Sequence, residues 1–197
     1  MLDWLNALLG DHRPRLEGRE VYLRLPRLAD YPAWARVRAR SKAFLEPWEP
    51  TWSEDDLTRS AFRRRLAAYA RELETGEAFP FFVFRRRDDA LIGGVRLFNV
   101  RHGVAQTGVV GYWIGEPYAR QGHMLDAVQA VIGFGFGPLG LHRLEAACMP
   151  HNTPSASLLA KCGFQEEGYA TAYLKINGEW RDHRLFGIVA PVQRGSG

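Results

Sequence analysis

The sequence has few cysteines, little excess of either charge and no long hydrophobic run. Its two cysteines, Cys148 and Cys162, belong to neither a CxxC nor a cysteine–histidine pattern, so we expect free thiols, no disulfide framework and no metal site. The 26 basic and 22 acidic residues leave a net charge of +4, far from the concentrated charge of a DNA-binding protein. No apolar segment approaches the roughly 18 residues that cross a membrane. These features favour a cytoplasmic protein that binds neither DNA nor a membrane.

Length and composition are those of one globular domain. The chain has 197 residues, of which 46% are hydrophobic and 24% are charged, enough to bury a full core. We predict an N-terminal amphipathic segment and linker over residues 1–17, a single domain over 18–190 and a C-terminal tail over 191–197. Leucines in residues 1–10 share one helical face, without the basic start and cleavage site of a signal peptide. This segment is expected to pack on the domain or on a second subunit, which leaves a homodimer open.

Hydrophobic periodicity predicts the element order β, α, α, β, β, β, α, β, α, β, β. The predicted strands cover residues 21–25, 79–84, 91–100, 104–114, 144–149, 169–176 and 180–189. The predicted helices begin near residues 30, 120 and 154, and one long helix covers 54–75. Asn177 and Gly178 separate the last two strands, and Asn-Gly is the strongest short signal for a hairpin. Three successive strands before the central helix indicate an antiparallel meander.

The most informative segment is residues 109–136, where a strand pattern changes to a helical pattern at a glycine-bearing turn. Residues 109–114 carry no charge, which predicts a strand buried on both faces. The helix then opens with unpaired backbone N–H groups, and such an opening suits an anion such as a phosphate. The candidate ligand-binding residues there are Arg120, Gln121, Gly122, His123 and Met124. An ordinary strand-to-helix connection with a surface arginine is the alternative, and neither a Walker A loop nor a GxGxxG motif is present.

A second unusual segment, residues 41–52, contains two prolines and two tryptophans and is predicted to be irregular. Bulky aromatic side chains on a loop either cover the core or hold a ligand, and both interpretations remain open. In the second interpretation, the candidate substrate-binding residues are Phe44, Glu46, Trp48 and Glu49. Together with Trp52 and Glu54, they are expected to frame a groove with aromatic walls and an acidic rim.

The order of elements resembles the GNAT acetyltransferase fold, and two motifs narrow the resemblance. The family's cofactor signature, Q/R-x-x-G-x-G/A, aligns on residues 119–124. Gly122 matches the fourth position, whereas Ala119 and Met124 differ from the signature at the first and last positions. The block from Met149, MPHNTPSASLLAKCGFQEEGYATAYLKINGEWRDHRL, is similar to the RimJ branch, the ribosomal-protein alanine N-acetyltransferases, as is FLEPWEP at residues 44–50. The likeness extends over nearly all of residues 18–190.

This resemblance implies an α+β fold, in which a mixed, mostly antiparallel sheet has helices on both faces and a splay between the fourth and fifth strands. It also implies acetyl-CoA as cosubstrate, held through its pyrophosphate by the turn at residues 120–124. In the family, the splayed fourth strand offers backbone N–H groups to the thioester and pantetheine, and an N-x-x-S motif at the start of the last helix contacts the cofactor. The matching cofactor-binding residues here are Trp113, Ile114, Asn152, Ser155 and Leu158.

An acetyl thioester is already activated, so the enzyme has to orient an amine, accept its proton and stabilise an oxyanion and a departing thiolate. Ser155, with Asn152 beside it, is the candidate hydrogen-bond donor to the sulfur. Many GNAT members have a tyrosine seven residues after the asparagine, where it protonates the departing thiolate. This chain has Leu159 at that position. A tyrosine that acts as the general acid would then have to be Tyr169 or Tyr173. The alternative for both residues is that they pack on the sheet.

The general base that accepts the proton of the amine also has two interpretations. Glu145 is a candidate if its side chain points into the splay. A water relay is the alternative, because an N-terminal α-amine has a pKa of about 7.7 to 8.0 and is partly neutral in the cytosol. We expect His151 to brace the turn before the last helix and His183 to fix the last strand.

The sequence therefore predicts an acetyl-CoA-dependent N-acetyltransferase that modifies the N-terminal alanine or serine of a ribosomal protein. One alternative is acetylation of a small amine, such as an aminoglycoside, a polyamine or a toxin-like aminoacyl conjugate. Another is a non-catalytic acetyl-CoA-binding protein with a role in assembly or regulation, although Asn152 and Ser155 favour catalysis. The acidic rim predicts faster reaction of peptides that continue with lysine or arginine.

Overall fold

The computed structural model describes residues 14–191, which form one sheet with helices on both faces. The strands are β1 (Arg15–Glu17), β2 (Val21–Arg24), β3 (Phe79–Arg85), β4 (Ala90–Arg101), β5 (Thr107–Ile114), β6 (Arg143–Cys148), β7 (Gln165–Ile176) and β8 (Glu179–Val189). The helices are α1 (Tyr31–Arg40), α2 (Lys42–Leu45), α3 (Arg59–Thr75), α4 (His123–Phe136) and α5 (Thr153–Lys161). Apart from the additional β1 and α2, this is the predicted order of elements. The predicted segment at residues 1–10 lies outside the described residues, as does the predicted tail beyond residue 191.

The sheet has the strand order β1-β2-β3-β4-β5-β6-β8-β7. All neighbours are antiparallel except β5 and β6, which run parallel. The described register joins β5 to β6 from Thr107↔Arg143 to Val109↔Glu145, and both strands then continue apart, to Ile114 and Cys148. The predicted splay between the fourth and fifth strands of the sequence pattern is confirmed as this opening between β5 and β6.

Two apolar clusters hold the helices on the sheet. On one face, α4 and α5 pack through fully buried side chains that include Val128, Val131 and Leu159. On the other face, α1 and α3 pack through Trp34 and Phe62, whose ring centroids are 4.8 Å apart. Burying one such side chain stabilises the fold by about 1.5–3 kcal/mol. One packed layer of helices therefore lies on each face of the sheet. Among residues 14–191, no helix is long and apolar enough to cross a membrane.

The long helix is shorter than predicted. It begins at Arg59 rather than near residue 54, because Thr58 caps it: the Thr58 hydroxyl accepts the N–H of Ala61 at 3.2 Å. Residues 54–57 form a turn before the cap. The helix ends at Gly76, whose φ of 71° lies in the left-handed region that favours glycine.

The prediction that residues 41–52 contain no regular element is wrong in part. The helix α2 and a 3₁₀ helix at Glu46–Trp48 occupy its first half. Pro47 lies in the first turn of the 3₁₀ helix, where its missing N–H removes no helical hydrogen bond. The predicted hairpin between β7 and β8 is confirmed, and the N–H of Asn177 at its tip donates to the Glu49 carbonyl at 2.9 Å. The hairpin tip therefore anchors the end of this segment.

The prediction that residues 109–114 are buried on both faces is also wrong. Val110 is 3% exposed, but residues 111–114 are only half-buried. In this part of β5 the neighbouring strand β6 has diverged, so the strand borders the opening rather than the interior of the sheet.

Candidate active site

The helix α4 begins with backbone N–H groups that no side chain caps. Gly122 is its N-cap residue, with a φ of 83°. A Cβ atom at Gly122 would meet no atom within 4 Å, so the space over the helix start is open. Arg120 is exposed beside it, and the side-chain amide of Gln121 donates to the Pro117 carbonyl at 2.8 Å. Because a helix start carries a partial positive charge, this surface suits an anion.

His123 and Met124 contribute to this helix start in different ways. Met124 is 5% exposed, and its methyl group lies in the core beside Gly93, so only its backbone is left for a ligand. Burial lowers the pKa of His123, and the positive charges of Arg85 and Arg87 lower it further. The lowered pKa favours the neutral imidazole of His123 at this helix start.

Two polar side chains that the sequence analysis missed hold this turn in place. The Asp126 carboxylate, in the first turn of α4, accepts the backbone N–H groups of residues 19–21 at 2.9, 2.7 and 3.1 Å. The buried Ser41 hydroxyl, at the end of α1, accepts the N–H of Glu116 at 2.9 Å. The helix start is thus fixed to the β1–β2 turn and to α1.

Ser155 lies in the first turn of α5, beside both of the strands that separate. Its hydroxyl oxygen is 2.8 Å from the hydroxyl of Tyr112, on β5 beyond the last pair with β6. Burial raises the pKa of the Cys148 thiol at the end of β6, and the nearby Ser155 lowers it. Ser155 therefore lies at the opening, between the diverging ends of β5 and β6.

The other predicted residues of α5 have structural roles that the contacts explain. Asn152 is the N-cap, and its Oδ1 atom accepts the N–H of Ser155 at 3.1 Å. Leu158 is half-buried and packs against the core. Leu159, at the position where many GNAT members have a tyrosine, is fully buried in the core and supplies no polar group to the opening.

Trp113 and Ile114 form the end of β5. Their backbones pair with Gly94 and Gly93 of β4 on one side, and the register with β6 has already ended on the other side. The backbone of this segment is therefore open toward the splay. The Trp113 indole covers Gly94, where a Cβ atom would lie 2.6 Å from Nε1 of the indole.

Glu145 belongs to the last pair before the opening, but its carboxylate is engaged elsewhere. Arg143 donates from Nε to Glu145 at 2.9 Å and from a terminal nitrogen to Glu167 at 3.0 Å. This arrangement supports a water relay rather than Glu145 as the route for the amine proton.

Tyr169 and Tyr173 lie on the edge strand β7, which β8 separates from β6. Tyr169 is 57% exposed and donates to Asp182 at 2.6 Å. Tyr173 is exposed, with its ring 5.7 Å from that of His183. His183 is buried, and its Nδ1 is 2.9 Å from the Arg181 carbonyl, which agrees with a role in fixing the last strand.

A groove of about 470 Å³ lies on the face of the sheet that α1 and α3 cover. Its aromatic lining includes Trp34, Trp52, Tyr69, Phe98 and Trp113. Tyr112 also lines the groove, which therefore extends to the separated part of β5. Of the four predicted substrate-binding residues, Glu49 lines this groove, Phe44 and Glu46 are half-buried, and the Trp48 ring packs 5.3 Å from that of His151.

A buried ion pair forms one wall of the groove. The two terminal nitrogens of Arg38 donate to the two oxygens of Glu49 at 2.7 and 2.6 Å. The Glu49 carboxylate also accepts the indole N–H of Trp52 at 2.8 Å. The Arg38 guanidinium lies 4.2 Å from the ring centroid of Trp52 and 4.9 Å from that of Trp113. The side chain of Arg38 is 7% exposed and that of Glu49 is 20% exposed.

The acidic rim that the sequence suggested does not form from Glu46 and Glu49. Arg38 neutralises Glu49, and Lys42 lies 3.4 Å from Glu46. The groove also contains Arg65 and Arg96, each paired with a carboxylate. Charges in and around the groove are therefore balanced.

Sequence reasoning missed Tyr112 and Arg38 as site residues. Tyr112 belongs to an uncharged strand pattern and Arg38 to a helix with several arginines, so neither has a distinctive local signal. Among residues 14–191, no group of three or more histidine, cysteine or acidic side chains is arranged to hold a metal ion. The helix start, the opening in the sheet and the adjoining groove together fit a transferase, in which two substrates meet at one opening.

Comparisons with known proteins identify the kind of transferase. The acetyltransferase (GNAT) domain family matches residues 20–165. The probable N-acetyltransferase YjcK of Bacillus subtilis is 35% identical over 176 residues, which cover 89% of this chain and 97% of the relative. The [ribosomal protein uS5]-alanine N-acetyltransferase of Escherichia coli is 38% identical over 165 residues, which cover 84% of this chain and 82% of the relative. Mycobacterium smegmatis RimJ in complex with CoA-disulfide has a TM-score of 0.84 at 33% identity, covering 90% of this chain and 87% of that one. The chain belongs to the GNAT family and is an N-acetyltransferase.

Proposed function

We propose that this enzyme transfers the acetyl group of acetyl-CoA to the N-terminal α-amine of a ribosomal protein whose first residue is alanine or serine. The proposal is supported by the Escherichia coli relative, which is named for the alanine of ribosomal protein uS5 and shares 38% identity. The observation that carries it is the groove, because its lining extends from the aromatic wall to Tyr112 at the opening in the sheet. A peptide lying in that groove is able to bring its first amine to the opening beside Ser155.

The helix start fits a coenzyme A pyrophosphate. The open space over Gly122, the uncapped N–H groups of α4 and the exposed Arg120 supply room, hydrogen-bond donors and positive charge. The open backbone of Trp113 and Ile114 is proposed to hold the pantetheine and the thioester carbonyl. Acetyl-CoA supplies an acyl group that is already activated, so positioning and charge stabilisation are the tasks left to the protein.

The amine reacts as the free base, and a good fraction of an N-terminal α-amine is neutral near pH 7 to 8. Water in the opening carries away the proton of the amine, since the Glu145 carboxylate is paired with Arg143. The Ser155 hydroxyl donates a hydrogen bond to the sulfur as negative charge develops on it. The aromatic walls of the groove leave space for a small first residue.

A peptide panel tests the acceptor. Wild-type enzyme with acetyl-CoA is expected to acetylate peptides that begin with alanine or serine at least about tenfold faster than the same peptides beginning with leucine, because a poorly fitting side chain costs 1–3 kcal/mol or more. Peptides with lysine or with glutamate at the following positions are expected to react at similar rates, since the groove charges are paired. Mass spectrometry of the products measures both comparisons and identifies the modified amine.

The panel includes spermidine and an aminoglycoside as competing acceptors. If spermidine or the aminoglycoside is acetylated faster than every peptide, the acceptor is a small-molecule amine rather than a protein N-terminus. A strong preference for lysine-containing peptides would restore the acidic-rim interpretation. No transfer to any acceptor, with acetyl-CoA still bound, would favour a non-catalytic role.

Coenzyme A is expected to raise the melting temperature of the protein by roughly 5–10 °C at a hundred times its dissociation constant, because a ligand that binds the native state alone stabilises it by about 2.7 kcal/mol. Differential scanning fluorimetry with coenzyme A and with acetyl-CoA measures the shift. A melting temperature that neither ligand moves would contradict the cofactor proposal.

Two glycine variants test whether this shift in melting temperature comes from binding at the start of α4. Gly122 and Gly103 both have positive φ, 83° and 71°, and a Cβ atom at either meets nothing within 4 Å. Gly122→Ala and Gly103→Ala should therefore lower the melting temperature of the free protein by similar amounts. Only Gly122→Ala is expected to reduce the shift caused by coenzyme A, because only its methyl group enters the proposed pyrophosphate site. If coenzyme A raises the melting temperature of the two variants equally, the turn at Gly122 is not part of the binding site.

A further inference from the structure

Tyr112 joins the groove to Ser155. It lies on β5 beyond the last pair with β6, opposite Val95 of β4. Its ring packs against the core on the α4 and α5 side, and the residue also lines the groove. Its hydroxyl is 2.8 Å from the Ser155 hydroxyl oxygen and 3.4 Å from the Ser155 carbonyl oxygen. This is a direct contact between the separated strand and the serine proposed to face the thioester.

Either hydroxyl can donate at this distance, and the chemistry of the two groups favours Tyr112 as the donor. A phenol is a better hydrogen-bond donor than an alcohol, and the serine hydroxyl oxygen is the nearer of the two acceptors of Tyr112. Burial raises the pKa of Tyr112, so the phenol keeps its proton. With its oxygen accepting from Tyr112, Ser155 has its own proton free to point away from β5.

We infer that Tyr112 is a positioning residue for acetyl transfer: its hydroxyl donates to Ser155 and thereby orients the serine proton toward the sulfur of the thioester. This inference rests on the proposed function. The serine then has one fixed orientation before the reaction begins, so no reorganisation is needed as charge develops.

The reaction balances without a proton leaving either side chain. The nitrogen of the amine forms a bond to the acetyl carbon, and the carbon–sulfur bond breaks with its electron pair going to sulfur. The extra proton of the amine leaves to water, and the thiolate takes a proton from water. Throughout, Tyr112 donates to Ser155 and Ser155 donates to the sulfur, so both hydroxyls act only as hydrogen-bond donors.

Four variants test the inference: Tyr112→Phe, Ser155→Ala, the double variant and Tyr22→Phe. Tyr22 is the control, because its hydroxyl also makes a hydrogen bond to another side chain, donating to Asp89 at 3.2 Å, away from the opening. The assay measures release of coenzyme A from acetyl-CoA with a synthetic peptide that begins with alanine, at a temperature where every variant is folded. Tyr112→Phe is expected to lower kcat about fivefold, as loss of one neutral hydrogen bond does, with the KM for acetyl-CoA unchanged. Tyr22→Phe is expected to keep the wild-type kcat.

The double variant separates positioning from packing. If Tyr112 acts through Ser155, adding Tyr112→Phe to Ser155→Ala changes kcat no further, because the group it orients is gone. A fivefold loss in both backgrounds would overturn the inference and show that Tyr112 acts independently of Ser155. An unchanged kcat in the Tyr112→Phe enzyme would overturn it as well. Failure of the proposed function gives a different result, in which the wild-type enzyme itself releases no coenzyme A with the peptide.

Discussion

Replacing Arg38 with methionine is expected to lower the free energy of unfolding by about 3–5 kcal/mol. The Arg38 side chain is 7% exposed and binds both oxygens of Glu49, so its loss leaves a largely buried carboxylate without its countercharge. The two tryptophans that border the guanidinium, Trp52 and Trp113, lose a stacked partner at the same time. Urea unfolding followed by circular dichroism measures the change.

Two further variants show whether the unpaired charge is the cause. The double variant Arg38→Met with Glu49→Leu removes both charges, so it should recover most of the lost stability. Arg64→Met removes a surface ion pair with Asp55, in which the arginine side chain is 64% exposed, and should cost less than about 1 kcal/mol. Equal losses for Arg38→Met and Arg64→Met would show that the Arg38 pair is solvated like an ordinary surface pair. A double variant as unstable as the single one would assign the loss to packing.

The parts of the site that follow from local sequence signals were predictable. Gly122 before an apolar helical pattern locates the start of α4, and the structure has the N-cap there. Asn152 and Pro154 locate the start of α5 in the same way. The Asn177–Gly178 turn predicts the last hairpin because a turn with positive φ at both residues needs residue types of this kind, and the φ angles are 44° and 83°.

The contacts across the fold were not predictable, because they depend on how separate elements face each other. Tyr112 and Ser155 are 43 positions apart and meet only because β5 diverges from β6 over α5. The predicted acidic rim is wrong at Glu49 for a related reason: a sequence shows the charge of Glu49 but not that Arg38, on a neighbouring helix, neutralises it. Buried charges are usually paired, so a carboxylate among tryptophans is better interpreted as half of an ion pair.

Arg38 and Ser155 thus serve the two sides of the opening differently. Arg38 holds the segment with Glu49 and Trp52 against α1, and so maintains one wall of the groove. Ser155 faces the separated strands from α5, where it is held by its own backbone bond to Asn152. Changes at Arg38 should therefore appear first in stability, and changes at Ser155 first in the rate of acetyl transfer.

Ser155→Ala is expected to lower kcat for acetyl transfer by roughly ten- to a hundred-fold, because a hydrogen bond to the developing thiolate contributes about 1–3 kcal/mol. The helix cap should survive, since the backbone N–H of residue 155 still donates to Asn152. Ser157→Ala is the matched control: Ser157 is exposed on the same helix, and its loss should leave both rate and stability unchanged. Steady-state release of coenzyme A measures the rate, and thermal unfolding reports stability.

If Ser155→Ala retains the wild-type kcat while remaining folded, the departing sulfur is stabilised by another group, and the backbone at Trp113 and Ile114 becomes the first alternative to examine. A rate loss in Ser157→Ala equal to that in Ser155→Ala would instead assign the effect to α5 as a whole.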